Sequence, residues 1–318
     1  MAGRKKVLVT GASGFIGSEL CKALVARGNQ VTALVRSERP LPFAGAQCLV
    51  QDLETRFEEN FLEAGFDAVI HLAGKAHGKG GLGDQSLEAF KRSNVSPTRR
   101  LAEAAVAAGV KRFVYLSSIG IHGDSTHGSP INEESPERPH ADYARSKLHG
   151  EGVVRESLAG TSTAFSIIRP TLVYGESAPG NFGKLVGICS GFLPLPLGCA
   201  NNRRSLVSLE SLVNLIILCI ERPEAKDQVF VAADATSVST REIVCSLRSG
   251  MGRSPGLVPL PRVLLRWPLE ALGRASVYRQ LFGDLEVDAT KAADLLGWER
   301  ETETLGALRM IGRKAVRC

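Results

Sequence analysis

Val7-Leu8-Val9-Thr10-Gly11-Ala12-Ser13-Gly14-Phe15-Ile16-Gly17 passes from a β-branched strand pattern, through three spaced glycines, into a helical one. Apolar residues then recur at helical spacing as far as Arg27. Strand, glycine turn and helix in that order are the context in which Gly-x-x-Gly-x-x-Gly reads as the phosphate-binding turn of a Rossmann unit. Gly11 permits the tight turn, Gly14 lets backbone N–H groups approach a pyrophosphate, and Gly17 lets the helix pack against the strand. The helix N-terminus adds its positive dipole.

Moving outward, the second strand, Val31 to Val35, ends in Arg36-Ser37 with no carboxylate. An acid at that point binds the ribose 2′-hydroxyl of NAD, whereas an arginine meets the 2′-phosphate of NADP. The residues therefore predict NADP(H) as the preferred cofactor, with NAD(H) as the alternative.

Further strands are read at 68–72, 113–117 and 165–168, with helices at 87–108, ending before Gly109, and at 142–158. Alternating apolar strands and helices predict an α/β fold, a doubly wound parallel sheet covered on both faces. Around Pro170 the texture changes, and Pro and Gly become dense from Pro179 to Gly198. The expected division is a dinucleotide-binding domain over 1–170 and a smaller substrate lobe, mainly 171–318, with some return of the chain to the first domain. In the lobe, helices are read at 210–221 and 240–250 and a strand at 228–232. A basic, apolar helix around 261–274 is expected to pack as an ordinary amphipathic helix rather than to lie on a membrane.

Tyr143-Ala-Arg-Ser-Lys147 puts a phenol and an ammonium on one helical face. A tyrosine near its usual pKa of about 10 is a poor acid–base group at neutral pH. A neighbouring lysine is expected to lower that value and make proton transfer to a substrate oxygen feasible. Ser117-Ser118 closes the preceding strand, where side chains point into the ligand crevice.

Other function classes find little support. The net charge is +6, but the basic residues are scattered, with short runs only at Lys111-Arg112 and Arg203-Arg204, so a nucleic-acid partner is not expected. Seven cysteines form no Cys-x-x-Cys pair, which fits neither a disulfide framework nor a zinc site. No metal is expected. The N-terminus reads straight into a strand and no apolar run is long enough to insert into a membrane, so the chain is read as cytoplasmic. His71 reads as a packed core histidine, and His122, His127 and His140 as solvent-facing.

The chain resembles the extended short-chain dehydrogenase/reductase family, the NAD-dependent epimerase/dehydratase group that acts on nucleotide sugars. The resemblance runs over nearly the whole chain. Thr10 to Gly17 looks like the family's fingerprint, Asp52-Leu53 like its adenine-contacting pair, and His71-Leu72-Ala73-Gly74 like its fourth-strand motif. Asn94 looks like its helix asparagine, and Arg169-Pro170 like the strand after the catalytic helix. Arg204-Ser-Leu-Val resembles its diphosphate-contacting strand, and residues 288–298 resemble its Leu-Gly-Trp signature. The resemblance implies Tyr143 as acid/base, Lys147 on the nicotinamide ribose and Ser118 on the substrate oxygen. It also implies cofactor contacts from Gly11, Ser13, Gly14, Phe15, Ile16, Gly17, Arg36, Asp52, Leu53, Leu72, Ala73, Gly74, Asn94 and Arg169, and substrate contacts from Asn181 and Arg204. A homodimer across the helices at 87–108 and 142–158 is implied as well.

Departures from the family's pattern narrow the chemistry. Dehydratases of the group carry Asp-Glu after the serine position, where this chain has Ile119-Gly120, and the cysteine of the epimerase-reductases is absent. Simple hydride transfer remains. The stretches 193–198 and 201–207 also look like a bacterial surface-polysaccharide subgroup that reduces UDP-4-keto-6-deoxy-N-acetylhexosamines. A UDP-sugar 4-ketoreductase is therefore the first expectation. A UDP-hexose 4-epimerase, a reductase for another carbonyl compound and a non-catalytic NADP-sensing regulator stay open.

Overall fold

Nine strands lie among the described residues: β1 (Lys6–Thr10), β2 (Gln30–Val35), β3 (Ala46–Val50), β4 (Ala68–His71), β5 (Arg112–Leu116), β6 (Ala164–Pro170), β7 (Leu172–Tyr174), β8 (Leu206–Ser208) and β9 (Gln228–Ala232). The computed structural model describes residues 4–38, 40–55, 61–62, 65–75 and 86–316. Seven strands form one sheet in the order β3-β2-β1-β4-β5-β6-β9, every pair parallel. The order reverses between β1 and β4, where Thr10 and His71 lie side by side at the strand ends. In an open parallel sheet, that reversal opens the ligand crevice.

The helices are α1 (Phe15–Ala26), α2 (Leu87–Phe90), α3 (Ser96–Ala107), α4 (Asp142–Leu158), α5 (Gly180–Cys189), α6 (Leu209–Glu221), α7 (Thr240–Gly250), α8 (Arg262–Ala271), α9 (Ala275–Phe282), α10 (Thr290–Leu296) and α11 (Thr304–Ala315). Alternate residues of each central strand feed opposite cores. Val7, Val9, Ile70 and Val114 pack with α1, α6 and α10, whereas Leu8, Val69, Phe113 and Tyr115 pack with α3 and α4. Both faces being covered, the strands read as continuous apolar runs rather than alternating ones.

The helix expected over 87–108 is a composite: α2 runs through a π-helical segment, Lys91–Val95, into α3. It ends where expected, with Gly109 in the left-handed region at φ +68°. The division near residue 170 does not partition the cores. Beyond it, β9 completes the main sheet, while α6, α10 and Trp298 pack on the first core. A separate core, with Phe182, Val244 and Leu308 among its members, joins α5, α7, α9 and α11.

The basic, apolar helix proves less packed than expected. None of the residues of α8 is buried, and its half-buried Leu265 alone leans on that second core. No helix among the described residues is long and apolar enough to cross a membrane.

Candidate active site

The glycine turn closes against the end of β4. Gly11 takes φ +70°, and a β-carbon there would stand 2.9 Å from the Ala73 nitrogen and 3.0 Å from the Leu72 carbonyl carbon. A β-carbon on Gly17 would strike the Gly11 carbonyl, so the helix can approach the turn only without a side chain. Gly14 caps α1 with no side-chain hydrogen bond, and the first turn holds no acid. Ser13 and Gly14 are exposed, with Phe15 and Ile16 half-buried behind them. The N–H groups of Phe15 to Gly17, which as the first turn of a helix have no partner within it, are thus presented to an anion.

Arg36 stands exposed after β2. An acid does reach the same edge, but from β3: Asp52 accepts from the Thr55 hydroxyl at 2.6 Å and from the Glu54 N–H at 2.9 Å. The Thr55 hydrogen bond, and in smaller part the Arg36 charge, hold its carboxyl below the ordinary carboxylate value. Leu53 beside it is buried, and Arg100 clasps its carbonyl at 2.8 Å.

Across the crevice, β5 runs out at two serines with different fates. Ser117 continues the ladder by donating its N–H to Ile168, and its buried hydroxyl has no partner among the described residues. Ser118 is half-exposed, caps a short 3-10 turn by accepting from the Gly120 N–H at 3.1 Å, and lies across Gly120 from Ala144 of α4. Of the pair, Ser118 is the one free to meet a substrate.

Tyr143, in the first turn of α4, sets its ring edge-on to Phe90 with centroids 6.0 Å apart. One turn on, the buried Lys147 donates to the Leu116 carbonyl at 2.7 Å and lies 4.7 Å over the Tyr115 ring. A β-carbon on Gly74 would come within 3.2 Å of the Lys147 ammonium and 3.3 Å of Asn94 Oδ1, so these three line one wall. Asn94, buried in the π-helical segment, accepts from the Lys75 N–H at 2.7 Å and donates to Ser146 of α4 at 2.9 Å. A π-turn inserted at this point turns the asparagine toward α4.

The electrostatics of the site correct one expectation. Burial pushes the Tyr143 phenol up to about 12, and Lys147 does not bring it down. The lysine spends its ammonium on Leu116, and burial lowers its own pKa to about 8 although Glu151 pulls the other way. Burial thus favours the protonated phenol of Tyr143.

Two further assignments change. Arg169 does not face a cofactor. It is 2% exposed, bonded to Glu151 at 2.9 and 2.6 Å and to Glu137 at 2.9 Å, and its remaining nitrogen donates to His122 at 3.0 Å. With the Glu133 carbonyl at 3.4 Å as a fourth partner, the guanidinium is fully engaged, so it is a buried staple between β6 and α4. His122, expected in solvent, is buried by accepting from that arginine, whereas His127 and His140 are exposed. His71 is a core histidine with a structural task. The Ala73 N–H donates to the Thr10 hydroxyl, which donates to His71 Nδ1 at 2.7 Å. Its Nε2–H donates to Thr98 at 3.0 Å, and Thr98 donates to the Asn94 carbonyl. A neutral imidazole thus links the glycine turn to the asparagine.

On the lobe side, exposed Asn181 of α5 donates to Gln280 of α9 at 3.2 Å. Arg204 is half-buried, donates to the Gly283 carbonyl at 3.1 Å, and is destabilised as a cation chiefly by burial, with Asp124 and Asp284 partly offsetting it. Asp124 in turn grips Arg279 at 2.6 Å. Sequence reasoning missed Asp124 and Arg279. They stand 155 residues apart, and no local motif marks either.

A glycine turn at the sheet's switch point, with Ser118 at the end of β5 and Tyr143 and Lys147 on α4, defines a Rossmann scaffold carrying a serine, a tyrosine and a lysine. The chain belongs to the NAD dependent epimerase/dehydratase family, whose model matches residues 7–233. A UDP-glucose 4-epimerase of Vibrio cholerae is 32% identical over 93% of this chain and 90% of that protein. The N-acetyl-alpha-D-glucosaminyl-diphospho-ditrans,octacis-undecaprenol 4-epimerase of Escherichia coli O157:H7 is 28% identical over 84% of this chain and 77% of its own length. Among solved structures, MoeE5 in complex with UDP-glucose and NAD superposes with a TM-score of 0.76 at 24% identity, covering 98% of both chains. UDP-glucuronic acid 4-epimerase from Bacillus cereus superposes with a TM-score of 0.78 at 20% identity, covering 98% of this chain and 96% of its own. At those identities the structural likeness speaks for the fold.

Proposed function

We propose that this protein is a nicotinamide-dependent oxidoreductase acting at C4 of a UDP-sugar, with 4-epimerisation as its net reaction. Supporting the reading are Ser118 at the end of β5, Tyr143 and Lys147 one turn apart on α4 with Lys147 bonded to the β5 end at Leu116, and the Ile119-Gly120 that follows Ser118 and offers no proton-transfer group for dehydration. The Vibrio cholerae relative, at 32% identity over nearly the full length, supports the UDP-hexose substrate.

The residues present fit the cofactor. The turn at Ser13 and Gly14 and the N–H groups of Phe15 and Ile16 would hold its pyrophosphate, while Arg36, Asp52 and Leu53 would meet the adenosine. Leu72, Ala73, Gly74, Asn94 and Lys147 would line its nicotinamide-ribose side. Bound there, the dinucleotide supplies the hydride acceptor and donor and, when oxidised, a positive charge. The chain's own part is proton handling. Tyr143 moves a proton to or from the C4 oxygen, and Ser118 hydrogen-bonds the same oxygen. Asn181 and Arg204 hold the nucleotide diphosphate, with Arg279 beside them. A homodimer across α3 and α4 is part of the same proposal.

Exposed Arg36 at the end of β2 favours a second reading, an NADPH-dependent UDP-4-ketosugar reductase. Product analysis by NMR distinguishes the two. Gel-filtered enzyme that inverts C4 of UDP-hexoses or UDP-N-acetylhexosamines without added cofactor supports epimerisation. Stoichiometric NADPH consumption with a UDP-4-ketosugar supports reduction, and no turnover of any UDP-sugar overturns both.

A further inference from the structure

The second lobe carries an apolar surface that the catalytic reading does not use. Its centre is α8, a helix turned inside out. At roughly 100° per residue, half-buried Leu265 and Leu269 share one stripe, and Val263, Leu264 and Trp267 share the opposite one. That opposite stripe faces solvent: Val263 is 65%, Leu264 58% and Trp267 74% exposed. An ordinary surface helix buries its apolar face and hydrates the polar one.

The neighbouring segment continues the surface. The strand-like run at 195–198 pairs with 256–258 through the Leu195–Gly256, Val258–Leu195 and Gly198–Val258 hydrogen bonds, and Arg262 ties the start of α8 to the Cys199 carbonyl at 3.0 Å. Just before that run stand Phe192 and Leu193, 90% and 78% exposed. Arg253 covers the Phe192 ring at 4.1 Å. Charge distinguishes this surface from a plain apolar patch. Residues 253–274 hold four arginines, Arg253, Arg262, Arg266 and Arg274, against the single carboxylate Glu270. Exposed leucine, valine and tryptophan ringed by arginine are the composition of a helix lying in the headgroup layer of an anionic bilayer.

We propose that α8 and the Phe192–Leu193 segment form a peripheral docking surface for an anionic phospholipid membrane, with Leu264, Trp267 and Phe192 entering the headgroup–acyl boundary and the arginines meeting lipid phosphates. The helix runs directly into α9, whose Arg279 and Gln280 reach Asp124 and Asn181, so docking places the mouth of the substrate crevice next to the bilayer. The proposal does not depend on which sugar the enzyme uses.

The protein offers its own reporter, because of its two tryptophans Trp267 is exposed and Trp298 is 2% exposed. Full-length protein is sedimented with vesicles of phosphatidylcholine alone and of phosphatidylcholine mixed with phosphatidylglycerol. Binding to the mixed vesicles, with a blue shift of tryptophan emission and quenching by lipids brominated in the acyl chains, is the expected result. L264S/W267S, two exposed positions, is expected to lower partitioning on the order of tenfold or more, with circular dichroism and turnover unchanged. R266Q and R274Q are expected to lower it roughly fivefold each, on the anionic vesicles only. No binding to phosphatidylglycerol vesicles overturns the proposal. So does binding that L264S/W267S leaves intact, or a loss in that variant only of self-association in light scattering, which would assign the surface to a second copy of the chain.

Discussion

Acidification should expose the histidine that ties the glycine turn to the catalytic wall. Burial, reinforced by the Lys147 charge, holds the folded His71 imidazole near 3, against an ordinary value of 6.5. The folded state therefore resists a proton that the unfolded state accepts. The stability at stake is present above pH 6.5 and is lost as pH falls toward 3. At pH 4.5 the unfolded imidazole is almost fully charged and the folded one is neutral, a loss of roughly 2–3 kcal/mol relative to neutral pH. The wild-type curve alone hides this. Asp234, buried against Tyr174 and Thr304, is pushed up to about 6. A raised carboxyl works in the opposite sense and returns about 2 kcal/mol over the same interval. The clean perturbation is His71→Gln, whose amide offers one acceptor toward Thr10 and one donor toward Thr98 and does not titrate. Urea unfolding of both proteins should be followed at pH 7 and pH 4.5. The stability difference between them should shift by about 2–3 kcal/mol in favour of the variant at the lower pH. A difference that does not change with pH would refute a neutral, buried His71.

Kinetics test the site. Tyr143→Phe should lower kcat by roughly 10²–10⁴ with little change in substrate affinity, as expected for a lost acid–base group; near-normal turnover would remove Tyr143 from the mechanism. Arg204→Ala should act mainly on KM, raising it on the order of 30- to 1,000-fold, about 2–4 kcal/mol, because a diphosphate looks alike in ground and transition states. An unaltered KM for UDP-sugars would take the diphosphate away from Arg204. Arg36→Asp should move the NADPH/NADH ratio of kcat/KM toward NADH by exchanging a phosphate partner for a ribose acceptor, and an unmoved ratio would show that Arg36 does not read the ribose.

Legibility from sequence tracked how local each cause was. Helix α4, strand β9 and helix α7 stand at the limits read from periodicity, because their apolar spacing and flanking residues are self-contained. Strand β3 escaped notice: it is an edge strand whose residues are mostly exposed, so Ala46–Val50 carries no strong apolar signal. The π-turn at Asn94 is also invisible in spacing, since one extra residue in a helix leaves the composition unchanged. Arg169 and His122 were misread for a shared reason. Burial of a charged or polar group is decided by partners far along the chain, here Glu151 and Glu137, and no motif announces them. The return of the chain to the first domain was expected, but not which elements make it: α6, β9 and α10 pack on the first core from a region with a different local texture.

The claim that the hydride comes from C4 of a UDP-sugar is tested most directly by isotope substitution. Turnover of UDP-hexose deuterated at C4 should be slower than that of the unlabelled sugar, while deuterium at C3 or C5 should leave the rate unchanged. A rate insensitive to deuterium at C4, or slowed by deuterium at C5, would contradict the account.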